Sequence, residues 1–212
     1  RRIRRNFWTC WYADKKYKIR SAASAAGLKI KAKVEVCMGQ TLVEKILSEK
    51  MGRPVHAGET IVVDVDFAAL HDGSGPLLVR LMKERGYEKD SLFDPDRILF
   101  ANEFGPVPTR EVANEHGLTR EFARCHNCHW EEGGTGHVHA HVYEDYLKCG
   151  TVCIVGDSHT TVHGAFGCFA TGCGSTDMVA VTRYGKTWIK VPETFRINVT
   201  GKLPKGVYAK DI

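Results

Sequence analysis

The sequence predicts an α/β fold, a three-layer α/β/α domain built on a mainly parallel sheet. Three observations predict it. RILFA (97–101) and TVCIV (151–155) are short continuous apolar runs of the kind parallel sheets bury on both faces. Segments of helical period lie between segments that read as strands. A chain of 212 residues, 43% hydrophobic and 26% charged, has the size and composition to enclose one large core or two small ones.

The elements follow in order. Residues 1–37 carry eleven Lys/Arg against two Asp/Glu, a net of +9, whereas the remainder sums to −4. Such a basic arm could bind nucleic acid. The reading adopted is an extension outside the fold, because Met38 opens a helical segment that reads like a protein start. The domain is therefore expected over 38–212. TLVEKILSEK (41–50) sets Leu42, Val43, Ile46 and Leu47 at helical spacing, with Gly52 as a stop. TIVVDVDF (60–67) alternates Ile61, Val63, Val65 and Phe67 and reads as one strand. HDGSGP (71–76) is a turn, and PLLVRLMKERG (76–86) a helix with proline at its first position. TREVANEHGLTREFAR (109–124) is helical, with Gly117 weakening its middle. After TVCIV comes a Gly-rich helical stretch, then DMVAVTRYGKTW, then the strand FRINVT (195–200). AKDI (209–212) reads as the opening of a further helix, so the chain is read as truncated.

No apolar run approaches the roughly 18–20 residues that span a bilayer. The basic N-terminus lacks the apolar region of a secretory signal. Eight cysteines in such a chain read as reduced thiols or metal ligands, and the expected compartment is the cytoplasm.

Two segments could carry chemistry. CHNCHWEEGGTGHVHAH (125–141) holds five of the ten histidines, with a C-x-x-C-H at its start. GDSHTTVHGAFGCFATGCGSTD (156–177) leaves the strand TVCIV, so its polar residues emerge at a strand's carboxyl end, where open α/β sheets place ligands. In an extended segment Asp157 and His159 share a face, and the carboxylate would hold the imidazole's tautomer. Ser158 would point away, towards a substrate oxygen. Gly164, Gly167, Gly172 and Gly174 would let the backbone approach a ligand, and free N–H groups at a helix start would favour a carboxylate.

The pattern D-S-H-T-x-x-x-G-A-F-G-x-F-A-T-G-x-G-S-T-D resembles the aconitase superfamily, in its 3-isopropylmalate dehydratase and homoaconitase large-subunit branch. MGQTLVEKILSEKMGRPVHAGETIVVDVDFAALHDGSGP resembles that branch's N-terminus, and RYGKTWIKVPETFRINVTGKLPKGVYAKDI its continuation, so the resemblance covers roughly 38–212. It implies an aconitase N-terminal-domain-like fold and a hydro-lyase that dehydrates and rehydrates a hydroxy di- or tricarboxylic acid in leucine- or lysine-type amino-acid biosynthesis. It implies a [4Fe-4S] cluster in the full-length family, one iron of which acts as Lewis acid on the substrate. It also implies a separate small subunit as partner. Asp157 and His159 become a catalytic pair. Ser158 binds a substrate carboxylate or lies beside it, and His71 and Ser74 become substrate-binding residues.

Three departures qualify what the resemblance implies. Asn102-Glu103 stands where the family has an Asp-His pair. His139 aligns with a catalytic histidine of the family but has different neighbours. The family's cluster cysteines occur in contexts that none of this chain's cysteines shares, so the chain alone is expected to bind no cluster and to be inert. Other readings stand beside this one. Cys125 and Cys128, with two of His129, His137, His139 and His141, have the ligand chemistry of a zinc module. The C-x-x-C-H spacing fits haem attachment, and the domain could be a non-catalytic one with a decayed site. Neither the resemblance nor the residues separate 3-isopropylmalate from homocitrate, homoaconitate or methylated malates.

Overall fold

The computed structural model describes residues 29–33, 39–103 and 105–211. Most of the basic arm, 1–28 and 34–37, thus lies outside the described residues, as does Met38. The part that is described, Lys29–Lys33, forms β1 and pairs antiparallel with β9 (Arg196–Thr200).

Helix α1 (Leu42–Met51) forms where the apolar spacing places it. Thr41 caps it: its hydroxyl accepts from the Glu44 N–H at 3.2 Å, and the Glu44 carboxylate accepts from the Thr41 N–H at 2.8 Å. Gly52, at φ 62°, closes the other end.

The run 60–67 is two strands, not one. β2 (Thr60–Asp64) pairs antiparallel with β8 (Lys186–Lys190), while β3 (Phe67–His71) enters the main sheet. The period-two alternation continues through the break, which is why it reads as one strand. What makes the break is distant in sequence. The Asp66 carboxylate accepts from Lys50 Nζ at 2.6 Å and from the Val152 N–H at 2.7 Å. The Arg97 guanidinium donates to the Val65 and Asp66 carbonyls, both at 2.7 Å.

The main sheet has five parallel strands in the order β5-β4-β3-β6-β7. They are β5 (His129–Glu131), β4 (Ile98–Ala101), β3, β6 (Val152–Val155) and β7 (Phe169–Gly172). The chain builds β3, β4 and β5 outwards on one side and then crosses over to lay β6 and β7 on the other. The boundary between β3 and β6 is therefore a switch point, where crevices form above the carboxyl ends of strands.

Both faces of this sheet are covered. Leu70, Ile98, Phe100 and Ile154 pack with residues of α1, α2 (Gly75–Glu84), α3 (Arg110–Cys125) and α5 (Ser175–Tyr184). The opposite face, with Phe67, Leu99, Cys153 and Val155, packs on Val138 and Val142. These last two belong to the one-turn helix α4 (Val138–His141) and the wide π-type turn, Val142–Tyr146, that extends it. Tyr146 stacks on Phe67 with centroids 4.6 Å apart. The three-layer expectation holds, with one layer much thinner than the other.

Two of the strands escape a reading by pattern. β5 lies inside CHNCHWEE, with neither alternation nor an apolar run to mark it. β7 lies inside the Gly-rich stretch, which is not a regular α-helix: Ser158–Phe166 is a 3₁₀ segment, then Phe169–Gly172 pairs with β6. No helix among the described residues is long and apolar enough to cross a membrane.

Candidate active site

The register of β3 with β6 pairs Ala69 with Val155, and two residues further along lie His71 and Asp157. The backbone thus delivers these two side chains side by side at the switch point, with His71 Nε2 3.6 Å from Asp157 Oδ2. Past β6 the chain turns at Gly156, whose missing side chain leaves room for Ser74: a Cβ there would sit 2.6 Å from Ser74 Oγ. Asp157 then caps the 3₁₀ segment. Its Oδ1 accepts from the His159 N–H at 2.7 Å and lies 3.1 Å from His159 Nδ1. The Asp157–His159 pair forms as expected, by way of a cap rather than an extended strand. Thr160 Oγ1 donates to the Asp157 carbonyl at 2.6 Å, and the end of β7 closes in behind. A Cβ on Gly172 would lie 2.2 Å from that same carbonyl, so only glycine fits.

α4 contributes His139. Its Nε2 is 2.7 Å from Asp157 Oδ1, and its Nδ1 is 3.0 Å from His163 Nε2 within the 3₁₀ segment. Asp157 therefore gathers three imidazoles, those of His71, His139 and His159. Exposure separates their parts. The His139 side chain is 7% exposed with both nitrogens engaged, whereas the His159 side chain is 81% exposed and stands out from the surface. Burial pushes the Asp157 carboxyl up, but the His159 N–H, the hydrogen bond and charge of His139, and the His159 ring outweigh it and bring it down to about 2. Burial also holds His139 below the usual histidine range, with Asp157 opposing, and lowers His163 to about 4.

The other expected residues fall out differently. Ser158 is exposed beside His159. Ser74 is 5% exposed and its hydroxyl is spent inside its own turn, accepting from the His71 N–H at 3.2 Å and donating to the His71 carbonyl at 3.4 Å. The Ser74 hydroxyl thereby shapes the turn that carries His71. At the start of the 3₁₀ segment the Asp157 carboxylate already takes the His159 N–H. Of the four glycines, Gly167 and Gly172 have protein atoms under 3 Å from a built Cβ, so they serve chain packing. Gly164 and Gly174 face open space.

Sequence reasoning missed Asp72, Glu103 and His163. Asp72 Oδ1 lies 3.2 Å from His71 Nδ1 and its Oδ2 3.7 Å from His116 Nε2. Glu103 Oε1 accepts from the Val138 N–H at 2.8 Å and lies 3.2 Å from His137 Nδ1. It thereby fastens the end of β4 to the helix that carries His139. Its place beyond the carboxyl end of a buried strand was the available signal. His163 had none, being one histidine in a Gly-rich stretch.

The Cys/His stretch disperses. Cys125 ends α3, Asn127 turns at φ 58°, Cys128 packs against the core and His129 opens β5 with its Nε2 2.9 Å from the Asp96 carbonyl. Burial pushes the Cys128 thiol up to about 12. His137 goes to Glu103, His139 to Asp157, and His141 to Thr135, at 3.3 Å. The zinc-module and haem readings are corrected: C-x-x-C-H is here a helix-to-strand connection. Among the described residues, the sets whose ligand atoms converge enough to hold an ion are His139, Asp157, His159 and His71, Asp72, Glu103, neither with a cysteine. In the first set the imidazole–carboxylate bonds already use the converging atoms.

This arrangement can orient an exposed imidazole through a carboxylate that is itself held by the buried His139. The sequence pattern of the aconitase family (aconitate hydratase) matches residues 102–212. The chain is similar to a 3-isopropylmalate dehydratase large subunit of Elusimicrobium minutum, 45% identical over 82% of this chain and 42% of that protein. It is similar to a 3-isopropylmalate dehydratase large subunit of Thermotoga maritima, 42% identical over 82% and 41%. A methanogen homoaconitase large subunit of Methanocaldococcus jannaschii is 44% identical over 81% and 40%. The chain thus spans about two fifths of the length of these curated relatives. With the match running through both the Asp157 turn and the helix that carries His139, the chain belongs to the aconitase family.

Proposed function

We propose that this chain is part of the large subunit of a cytoplasmic hydro-lyase of the 3-isopropylmalate dehydratase or homoaconitase type. Its partner would be a small subunit, and its substrate a hydroxy di- or tricarboxylic acid. The observation that carries the reading is Asp157, bound through one oxygen to buried His139 and to exposed His159 at the switch point of a parallel sheet.

Full-length members of the family use a [4Fe-4S] cluster. Such clusters are held by cysteine thiolates, and the six described cysteines do not fit one. Cys153 and Cys168 are buried in the core, the latter donating to the His163 carbonyl, while the others lie at the end of α3, before β5, before β6 and after β7. The steps assigned here therefore use this chain's side chains alone.

They cover the half of dehydration that breaks the C–O bond. Asp157 holds the His159 ring through Nδ1–H, leaving Nε2 towards solvent and substrate. A proton carried on Nε2 passes to the departing hydroxyl, which leaves as water. In hydration the neutral ring takes the proton back. Ser158, exposed beside it, and the His71 imidazole across Asp157 supply donors for a substrate carboxylate. His139 acts through Asp157, because both of its nitrogens face protein.

The test is turnover of 3-isopropylmalate and of homocitrate by the enzyme assembled with its small subunit and reconstituted cluster. Asp157→Asn is expected to lower kcat by roughly 10²–10⁴-fold, the range of general acid–base catalysis. An unchanged kcat sinks the assignment, and turnover of neither acid by the unaltered enzyme sinks the function.

A further inference from the structure

We propose that His163 is a positioning residue for this proton-transfer pair. It locks His139 as the Nε2–H tautomer, so that His139 donates to Asp157 and holds the carboxylate against His159. The purpose of the lock rests on the hydro-lyase reading; the lock itself does not.

Asp157 is a carboxylate and can only accept, so His139, 2.7 Å away, must present Nε2–H. A neutral His139 then has a bare Nδ1, which faces His163 Nε2 at 3.0 Å. That nitrogen must in turn carry a proton, leaving His163 Nδ1 bare. In the structure His163 Nδ1 is buried with no partner. A buried bare acceptor costs less than the alternative, in which His163 turns its lone pair on that of His139 and buries an unsatisfied N–H as well.

The other patterns are costlier. An Nδ1–H tautomer of His139 sets a lone pair against the carboxylate. A second proton on His139 reverses the bond to His163, and so buries a charge together with a His163 Nδ1–H that has no acceptor. The line Asp157–His139–His163 therefore has one neutral state, and it ends in a dead end rather than at solvent. This makes His163 a lock and not a conduit for protons. The surroundings are built for it: His163 is fully buried, and its carbonyl accepts from the Cys168 thiol at 3.0 Å. Its ring also meets that of His139 edge-on, at 5.0 Å. Partners that orient a metal-ligating imidazole from behind typically affect activity 10–100-fold when removed, and that range sets the scale expected for this carboxylate-bound imidazole.

The experiment is ¹⁵N-resolved NMR of the histidine rings in the full chain, unaltered and as His163→Gln and His163→Leu, with kinetics of the same variants in the assembled enzyme. The unaltered chain is expected to show slowly exchanging N–H protons on the Nε2 of both His139 and His163, and a hydrogen-bonded bare Nδ1 on His139. His163→Gln returns an amide donor to nearly the same place and keeps the His139 pattern. His163→Leu shifts His139 Nδ1 to its unbonded position and lowers kcat 10–100-fold with KM little changed, and Gln restores most of the loss. Finding His139 as the Nδ1–H tautomer, or doubly protonated at neutral pH, overturns the proposal, and that result needs no variant to fold. A His163→Leu enzyme with an unaltered His139 signal and unaltered kcat overturns it too. An unaltered enzyme that turns over neither acid while the ring pattern stands removes the hydro-lyase reading and leaves the lock in place.

Discussion

Asp157 is where the chain's chemistry converges, and its neighbours differ in how far the sequence announces them. The Asp-Ser-His order at the end of an apolar strand marks Asp157 and His159, because a capping carboxylate two residues before a histidine is a local geometry. His139 reaches that carboxylate from 18 residues before it, and His163, 6 residues after it, reaches His139; only folding brings them in. Their burial has a consequence for acid stability. His163 is held down to about 4 against an ordinary value near 6.5, so the unfolded chain takes up a proton first as pH falls. Stability present above pH 6.5 is thus lost progressively towards pH 4, by roughly 2–3 kcal/mol from this group. Urea unfolding at pH 7 and pH 5 is expected to show the loss, and His163→Gln to make it shallower. An equal slope in the variant would assign the acid sensitivity elsewhere.

At the scale of elements, local signals work where the partner is close in sequence. The capping box of Thr41 and Glu44 is legible in T-x-x-E, and Thr41→Ala is expected to cost about 0.5–2 kcal/mol in urea unfolding. The break between β2 and β3 is not legible, because Lys50, Arg97 and Val152 make it across 16 to 86 residues. β7 is hidden for a related reason. Its glycine is required by the Asp157 carbonyl, so a stretch that reads as flexible is a strand packed against the site. Gly172→Ala is expected to shift the Asp157 turn and lower kcat in the assembled enzyme while leaving the secondary structure seen by circular dichroism intact. Full activity in that variant would contradict the close packing.

For the whole molecule, the two-faced sheet makes its central strands the least tolerant part. Leu99 is fully buried on β4, and Leu99→Ala is expected to cost about 2–5 kcal/mol by chemical denaturation. The dispersal of the cysteines also belongs to this scale. The chain by itself is expected to take up no stoichiometric [4Fe-4S] cluster in anaerobic reconstitution and to show no turnover. Iron analysis and absorbance check it, and one cluster per chain would refute it.

The sequence by itself determined the fold class, the buried strands β4 and β6, the Asp157–His159 pair and the family, since each rests on local periodicity or on a contiguous motif. The Cys/His stretch shows where that reading ends, because residue type and spacing there suggest ligands that would have to converge. Only the tertiary structure decided that they do not. A helix end, a turn and a strand carry Cys125, Cys128 and His129 apart, while sheet register brings His71 to Asp157 and α4 brings His139. Convergence of side chains from different strands depends on register and packing over long separations, and one-dimensional spacing does not encode it.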